Sequence, residues 1–186
     1  LKEKNSSLDK TPKFLYVTPN YHNPAGIIYS PERKKQLLET LSGTDIILIE
    51  DDAYSDLYFK KEEKYLTKAM KSIDVHDVEI IYTGSFSKIL GPGFRLGYML
   101  ASPEIFEKAE SIKQAQDACT SNFTQILANE FVSKGYLDDY LVFLRKEYSE
   151  RKEILQRNLK KYMPDKISWI EPKGGFYVWL KLPASL

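Results

Sequence analysis

Apolar runs that end in polar residues alternate with longer stretches of helical spacing through the first hundred positions. KFLYVTP (13–19) predicts a strand, and the Asn, Pro and Gly of the following NYHNPAGIIY predict a turn. SPERKKQLLETL then offers Ser30 as N-cap, Pro31 as first helical residue and Leu37, Leu38 and Leu41 as an apolar face, which predicts a helix. DIILIEDD (45–52) is a continuous apolar run closing in acids, the pattern of a strand buried on both faces. VEIIYTGS (78–85) repeats that form and closes in hydroxyls, and FRLGYMLA reads as a further strand. This order predicts an α/β fold on a mostly parallel sheet flanked by helices. Ligands of such sheets sit at the carboxyl ends of the strands, so the polar tails of the runs at 13–19, 45–52 and 78–85 are expected on one edge.

Beyond Ser102 the pattern turns helical. SPEIFEKAESIKQAQD has a Ser-Pro start, and TSNFTQILANEFVSKG closes at Gly135, a candidate C-cap. From Leu137 a long helix sets Leu137, Leu141, Leu144, Tyr148, Leu155, Leu159 and Tyr162 at helical spacing, with Arg151 and Lys152 breaking the stripe. KISWIEP and GGFYVWLKLP then predict two strands joined by a Lys-Gly-Gly turn, the start of a small α+β domain. The expected division is residues 1–148 for a large domain and 149–186 for the helix end and the start of the small one.

Composition narrows the function classes. Lysine and arginine (27) nearly balance aspartate and glutamate (26), and a net charge of +1 provides no field for gripping nucleic acid or an anionic membrane. No apolar stretch approaches the roughly 20 residues of a membrane span, so a cytoplasmic protein is expected. The single cysteine, Cys119, excludes an internal disulfide and reads as a small buried hydrophobe. The chain opens on the polar LKEKNSSLDKTPK without a methionine and closes just after a strand-like run, as expected of a piece of a longer protein.

The candidate chemistry gathers in YTGSFSKILGPGFRLGYML (82–100). A partly desolvated lysine amine near a cation is a nucleophile toward carbonyls, which points to Lys88 as a Schiff-base former. Serine hydroxyls, turn amides and an arginine fork suit a phosphate monoester, and Ser85, Ser87 and Arg95 supply them. Gly91, Gly93 and Gly97 nearly form a dinucleotide loop, but Leu96 stands where that fingerprint needs glycine and a strand follows where it needs a helix. In IEDDAYSDLY (49–58) a carboxylate at a strand's carboxyl end can ion-pair with a protonated heterocycle, act as a base or bind a metal. Asp51 and Tyr54, three apart across a turn, can face one ligand, whereas Asp52 reads as a solvated or capping acid. The two histidines, His22 and His76, have no partner at metal-ligand spacing.

Together SFSKILGPGFRLGYM, EDDAYSDLY, YHNPAG and KGGFYVWLKLP resemble, in order and across most of the chain, the fold type I pyridoxal-phosphate-dependent aminotransferases of class I/II. The resemblance is strongest to the branch holding 2-aminoadipate and aromatic aminotransferases and the aminotransferase-like halves of MocR-type regulators of the GntR group. It implies an incomplete large domain of that fold and pyridoxal 5'-phosphate as cofactor. Lys88 matches the lysine that carries the cofactor as an internal aldimine and then shuttles the substrate's α-proton. Asp51 matches the acid paired with the pyridine nitrogen, Tyr54 and Asn23 the donors to the ring oxygen, and Ser85, Ser87 and Arg95 the phosphate clamp. Asn23 also matches a residue that reaches the substrate carboxylate, Pro24 and Gly26 shape its turn, and His22 has no assured role.

The implied reaction moves an amino group between an amino acid and a 2-oxo acid, in a homodimer that shares its active site. The family's glycine-rich phosphate loop, its ring-stacking aromatic and its carboxylate-binding arginine have no counterpart in the chain, so this segment alone is expected not to transaminate. The alternative is a sensor that binds cofactor and an effector amine for a transcription regulator. That reading requires a separate winged-helix domain to bind DNA.

Overall fold

The computed structural model describes residues 12–117 and 119–184. Most of the polar opening stretch, residues 1–11, lies outside them. Four strands form one sheet in the order β1 (Phe14–Val17), β2 (Ile47–Asp52), β3 (Ile80–Ser85) and β4 (Gly97–Leu100). The first three are parallel, and β4 returns antiparallel to β3 with Ser85 opposite Gly97. The sheet is thus mostly parallel, and the carboxyl ends of β1, β2 and β3 share one edge.

Helix α1 (Pro31–Leu41) crosses from β1 to β2. The Ser30 side chain caps it by accepting from the Arg33 amide, and Pro31 occupies the first turn, where a missing N–H costs nothing. Leu38 and Leu41 are buried against Val17, Leu48, Ile80 and Met70, the last from the short helix α2 (Met70–Ile73). Each such leucine contributes about 1.5–3 kcal/mol by leaving water.

Strand alternation and register sort the sheet's side chains into two faces. Leu48, Glu50 and Asp52 turn toward α1 and are buried, with Ile80 and Tyr82 beside them in register. Ile47, Ile49 and Asp51 turn the other way and are only partly covered, and Phe14 and Tyr16 on that face of β1 are exposed. The expectation of a strand buried on both faces therefore holds for one face of β2.

The buried face holds a polar network that corrects the reading of Asp52 as a solvated acid. Asp52 accepts from Asn20 Nδ2 at 3.0 Å and from the Tyr82 hydroxyl at 2.8 Å. Asn20 Oδ1 in turn accepts from Lys34 Nζ at 2.8 Å. Lys34, 1% exposed, also donates to the carbonyls of Leu66 and Lys68. The acid is buried because Asn20 and Tyr82 replace the water it gives up. Beside it Glu50 accepts from the Met70 and Lys71 amides and fixes the start of α2.

Helices α3 (Pro103–Gln116) and α4 (Asn122–Ser133) follow β4, and Gly135, at φ +76°, turns the chain into α5 (Tyr136–Tyr162). Cys119 is exposed in the link between α3 and α4, outside both helices, which corrects its reading as a buried hydrophobe. Leu141 and Leu144 of α5 join a second core with Tyr21, Tyr54, Leu57, Tyr58 and Ile89. Further along, Leu155 and Tyr162 are exposed, against expectation, while Gln156 and Leu159 are buried. The covered stripe shifts because strand β5 (Ser168–Trp169) packs there: Trp169 Nε1 donates to Gln156 Oε1, and Lys152 pairs with Glu171. β5 pairs antiparallel with β6 (Leu180–Lys181).

Candidate functional site

The candidate residues come from three chain segments that meet at the carboxyl edge of the sheet. Ser85 ends β3, and its hydroxyl accepts from the Ser87 amide at 3.1 Å, folding Phe86–Lys88 into a single 3-10 turn. The Ile89, Leu90 and Gly91 amides converge on the Phe86 carbonyl, and the Phe86 amide donates to Leu96 O, which ties the loop's two ends together. Ile89 is buried in the second core. Lys88 is therefore held between a hydrogen-bonded turn and a buried anchor, although its own side chain is only half-buried. Gly91 takes φ +133°, a conformation open to few residues with a Cβ.

Asp51 stands one position before the end of β2, opposite Thr83 in register, and so on the same face as Ser85. Tyr54 follows on the next turn and is buried. Lys88 Nζ lies 5.8 Å from the centre of its ring. Burial, followed by its contact with the Tyr177 hydroxyl, pushes the Tyr54 phenol up to about 12, and the Asn23 side chain opposes that shift. The phenol thus stays a hydrogen-bond donor at neutral pH.

Asn23 sits in a turn closed by His22 and Ile27: the His22 amide donates to Ile27 O, and the Gly26 amide donates to His22 O. His22 Nδ1 accepts from the Ala25 amide, so in this structure the imidazole serves the turn. Gly26, at φ +66°, faces the Tyr177 carbonyl so closely that any Cβ would collide with it. Ser87 and Lys88 also border a cavity of about 220 Å³ with Tyr140, Leu144 and Tyr148 of α5 and with Phe176. A neighbouring cavity of about 320 Å³ shares Tyr148 and Phe176 but includes none of the candidate residues.

Arg95 lies in the same loop, two residues before Gly97, which pairs with Ser85. It is exposed, takes the left-handed conformation at φ +49°, and its guanidinium reaches only the Pro92 carbonyl at 3.4 Å. Among the described residues no hydrogen bond joins it to Ser85 or Ser87. Two neighbours were not singled out from the sequence. Tyr177, in the KGGFYVWLKLP motif, touches Tyr54, and Tyr16 donates its hydroxyl to Asp51 Oδ2. For Tyr16 a signal does exist: it precedes the polar tail of β1 on the face that its register shares with Asp51.

The profile of the family described as aminotransferase class I and II matches residues 1–185. The chain belongs to that family. An aromatic-amino-acid aminotransferase of Thermococcus litoralis is 38% identical over all of this chain and 44% of its own length. An uncharacterized HTH-type transcriptional regulator of Bacillus subtilis, YisV, is 34% identical over 94% of the chain and 35% of its own. Among solved structures, kynurenine aminotransferase of Pyrococcus horikoshii, in complex with PMP, superposes with a TM-score of 0.87 at 38% identity, covering 94% of this chain and 42% of that one. The chain spans less than half the length of these relatives. Its α/β sheet and flanking helices are those of the aminotransferase fold.

Proposed function

We propose that the protein carrying this chain is a pyridoxal-phosphate-dependent aminotransferase that moves an amino group between an amino acid and a 2-oxo acid. One observation carries the reading: an amine, a carboxylate, a buried phenol and a pair of serines lie together at one sheet edge, in a chain of the aminotransferase family. These donors fit the cofactor group by group. Lys88 suits its aldehyde, Asp51 its ring nitrogen, Tyr54 and Asn23 its phenolic oxygen, and Ser85 and Ser87, with Arg95, its phosphate. Ser85 can accept from the Ser87 amide and still donate its own proton.

The bound cofactor supplies an aldehyde for the substrate amine and a ring that takes up the electron pair released at the α-carbon. Lys88 Nζ would hold the cofactor's carbonyl carbon and, once the substrate amine displaced it, would be placed to move the α-proton. Asp51 holds a proton on the ring nitrogen. Tyr54 donates to the ring oxygen, and Asn23 adds a donor there and toward the substrate carboxylate. We assign residues 1–148 to the large domain and 149–186 to the exit of α5 and the start of a small domain, within a cytoplasmic homodimer. Among the described residues no helix is long and apolar enough to cross a membrane.

The test uses the full-length protein: add pyridoxal phosphate, reduce with borohydride, map the labelled peptide and assay multiple-turnover transamination. Label on Lys88 with turnover is expected, and label on any other lysine overturns the assignment. The match to the Bacillus regulator favours a second reading, in which the same site senses an effector amine for a DNA-binding domain. Label on Lys88 without turnover, and with amine-dependent DNA binding, would establish it.

A further inference from the structure

Tyr16 lies beside Ile49 in the β1–β2 register, two residues short of Asp51 and on the same face of the sheet. Its side chain reaches across one strand and forward, and the hydroxyl donates to Asp51 Oδ2. The ring is 59% exposed, so packing does not dictate where it points. The Asp51 carboxylate does. That bond is the leading cause of the raised Tyr16 phenol pKa, with Thr18, just beyond the end of β1, opposing it. The Asp51 charge also bears on the Tyr54 phenol across the turn, and Asp52, its neighbour in sequence, points to the opposite face and is held by Asn20 and Tyr82.

A carboxylate on a strand end can rotate about its side-chain bonds. When one oxygen accepts from a phenol anchored on the next strand, that rotation is restricted. Partners of this kind orient the group that binds a cofactor without touching the cofactor themselves. We infer that Tyr16 is a positioning residue for Asp51: its hydroxyl fixes one carboxylate oxygen so that the other is presented to the cofactor's ring nitrogen. The inference rests on the cofactor reading above and adds a residue to it.

Two measurements on the full-length protein test it. In the apoprotein, tyrosine labelled with ¹³C at Cζ reports each phenol's ionisation, and Tyr16→Phe identifies the Tyr16 signal. That signal is expected to titrate above the ordinary phenol value of about 10 in the wild type and to fall toward it in Asp51→Asn. In the second measurement, Tyr16→Phe is expected to weaken pyridoxal phosphate binding about tenfold, with apoprotein Tm changed by no more than about 2 °C. A Tyr16 titration indifferent to Asp51→Asn overturns the inference and leaves the cofactor reading intact. A Tyr16→Phe variant that loses Tm but keeps its cofactor affinity overturns it as well, since the contact is then only structural. If the wild type binds no pyridoxal phosphate, the cofactor reading fails, and the role of Tyr16 toward the ring nitrogen fails with it.

Discussion

Lys88 Nζ lies 5.8 Å from the centre of the Tyr54 ring, across the gap between the ends of two adjacent parallel strands. The turn at Phe86–Lys88 and the buried Ile89 hold the backbone that carries the lysine, so the fold of this loop does not depend on the lysine's own side chain. Lys88→Ala is therefore expected to abolish cofactor attachment while changing stability by less than about 1 kcal/mol. Urea unfolding of the apoprotein and borohydride labelling, run in parallel, separate the two effects. A large loss of stability would show that the amine supports the fold.

Asp51 presents a carboxylate from the partly covered face of β2, with Tyr16 on one oxygen. Asp51→Asn keeps the shape and loses the charge that would hold a proton on the cofactor's ring. Turnover is expected to fall on the order of 10²-fold or more, with cofactor still bound at raised concentration. Steady-state rates at saturating pyridoxal phosphate check this. Unchanged turnover would move the charge-pairing role away from Asp51.

Much of this arrangement is legible in the sequence because local signals agree with the fold. Ser30-Pro31 starts α1, apolar runs mark β2 and β3, and their polar tails mark the edge where the site gathers. Other features depend on which elements meet. Lys34 is not among the residues that the apolar pattern of α1 names, yet it shares the stripe of Leu38 and Leu41 at helical spacing and is buried with them. The amphipathic pattern of α5 names one face, but the small strands cover a different stripe after Lys152. Arg95 is readable as a phosphate ligand by residue type, whereas its exposed, left-handed position is set by the return into β4 and leaves no local trace.

Gly26 and Gly43 share a backbone conformation, at φ +66° and +67°, and differ in what surrounds them. A Cβ on Gly43 meets nothing within 4 Å, whereas one on Gly26 runs into the Tyr177 carbonyl. Gly43→Ala thus measures the cost of the left-handed conformation, about 1–2 kcal/mol, and Gly26→Ala adds the collision, a further ~1–3 kcal/mol. The extra cost has a consequence for the site, because Tyr177 bears on Tyr54. Gly26→Ala is expected to weaken cofactor binding and Gly43→Ala to leave it unchanged. Urea midpoints and a cofactor titration of both variants decide the matter. Equal midpoints would mean that the segment around Tyr177 yields freely.

Lys34 sets a pH dependence of stability whose sign is opposite to that of a surface lysine gaining a partner. Burial lowers its pKa to about 8, with Glu50 and Asp52 opposing the shift, while an unfolded chain holds the same proton up to about 10.4. Between those values unfolding takes up a proton, so this residue's contribution makes the protein more stable as pH rises from about 8 toward 10. Raised tyrosine pKa values act in the other direction, but only near and above pH 10, where the unfolded phenols ionise. Lys34→Met removes the titration and strands the Asn20, Leu66 and Lys68 oxygens that the ammonium bonds, at a cost of ~2–4 kcal/mol at pH 7. Urea midpoints from pH 7.5 to 9.5 are therefore expected to climb more steeply in the wild type than in Lys34→Met. Parallel slopes would show that Lys34 keeps its proton in the fold throughout, its three oxygen partners outweighing the loss of water.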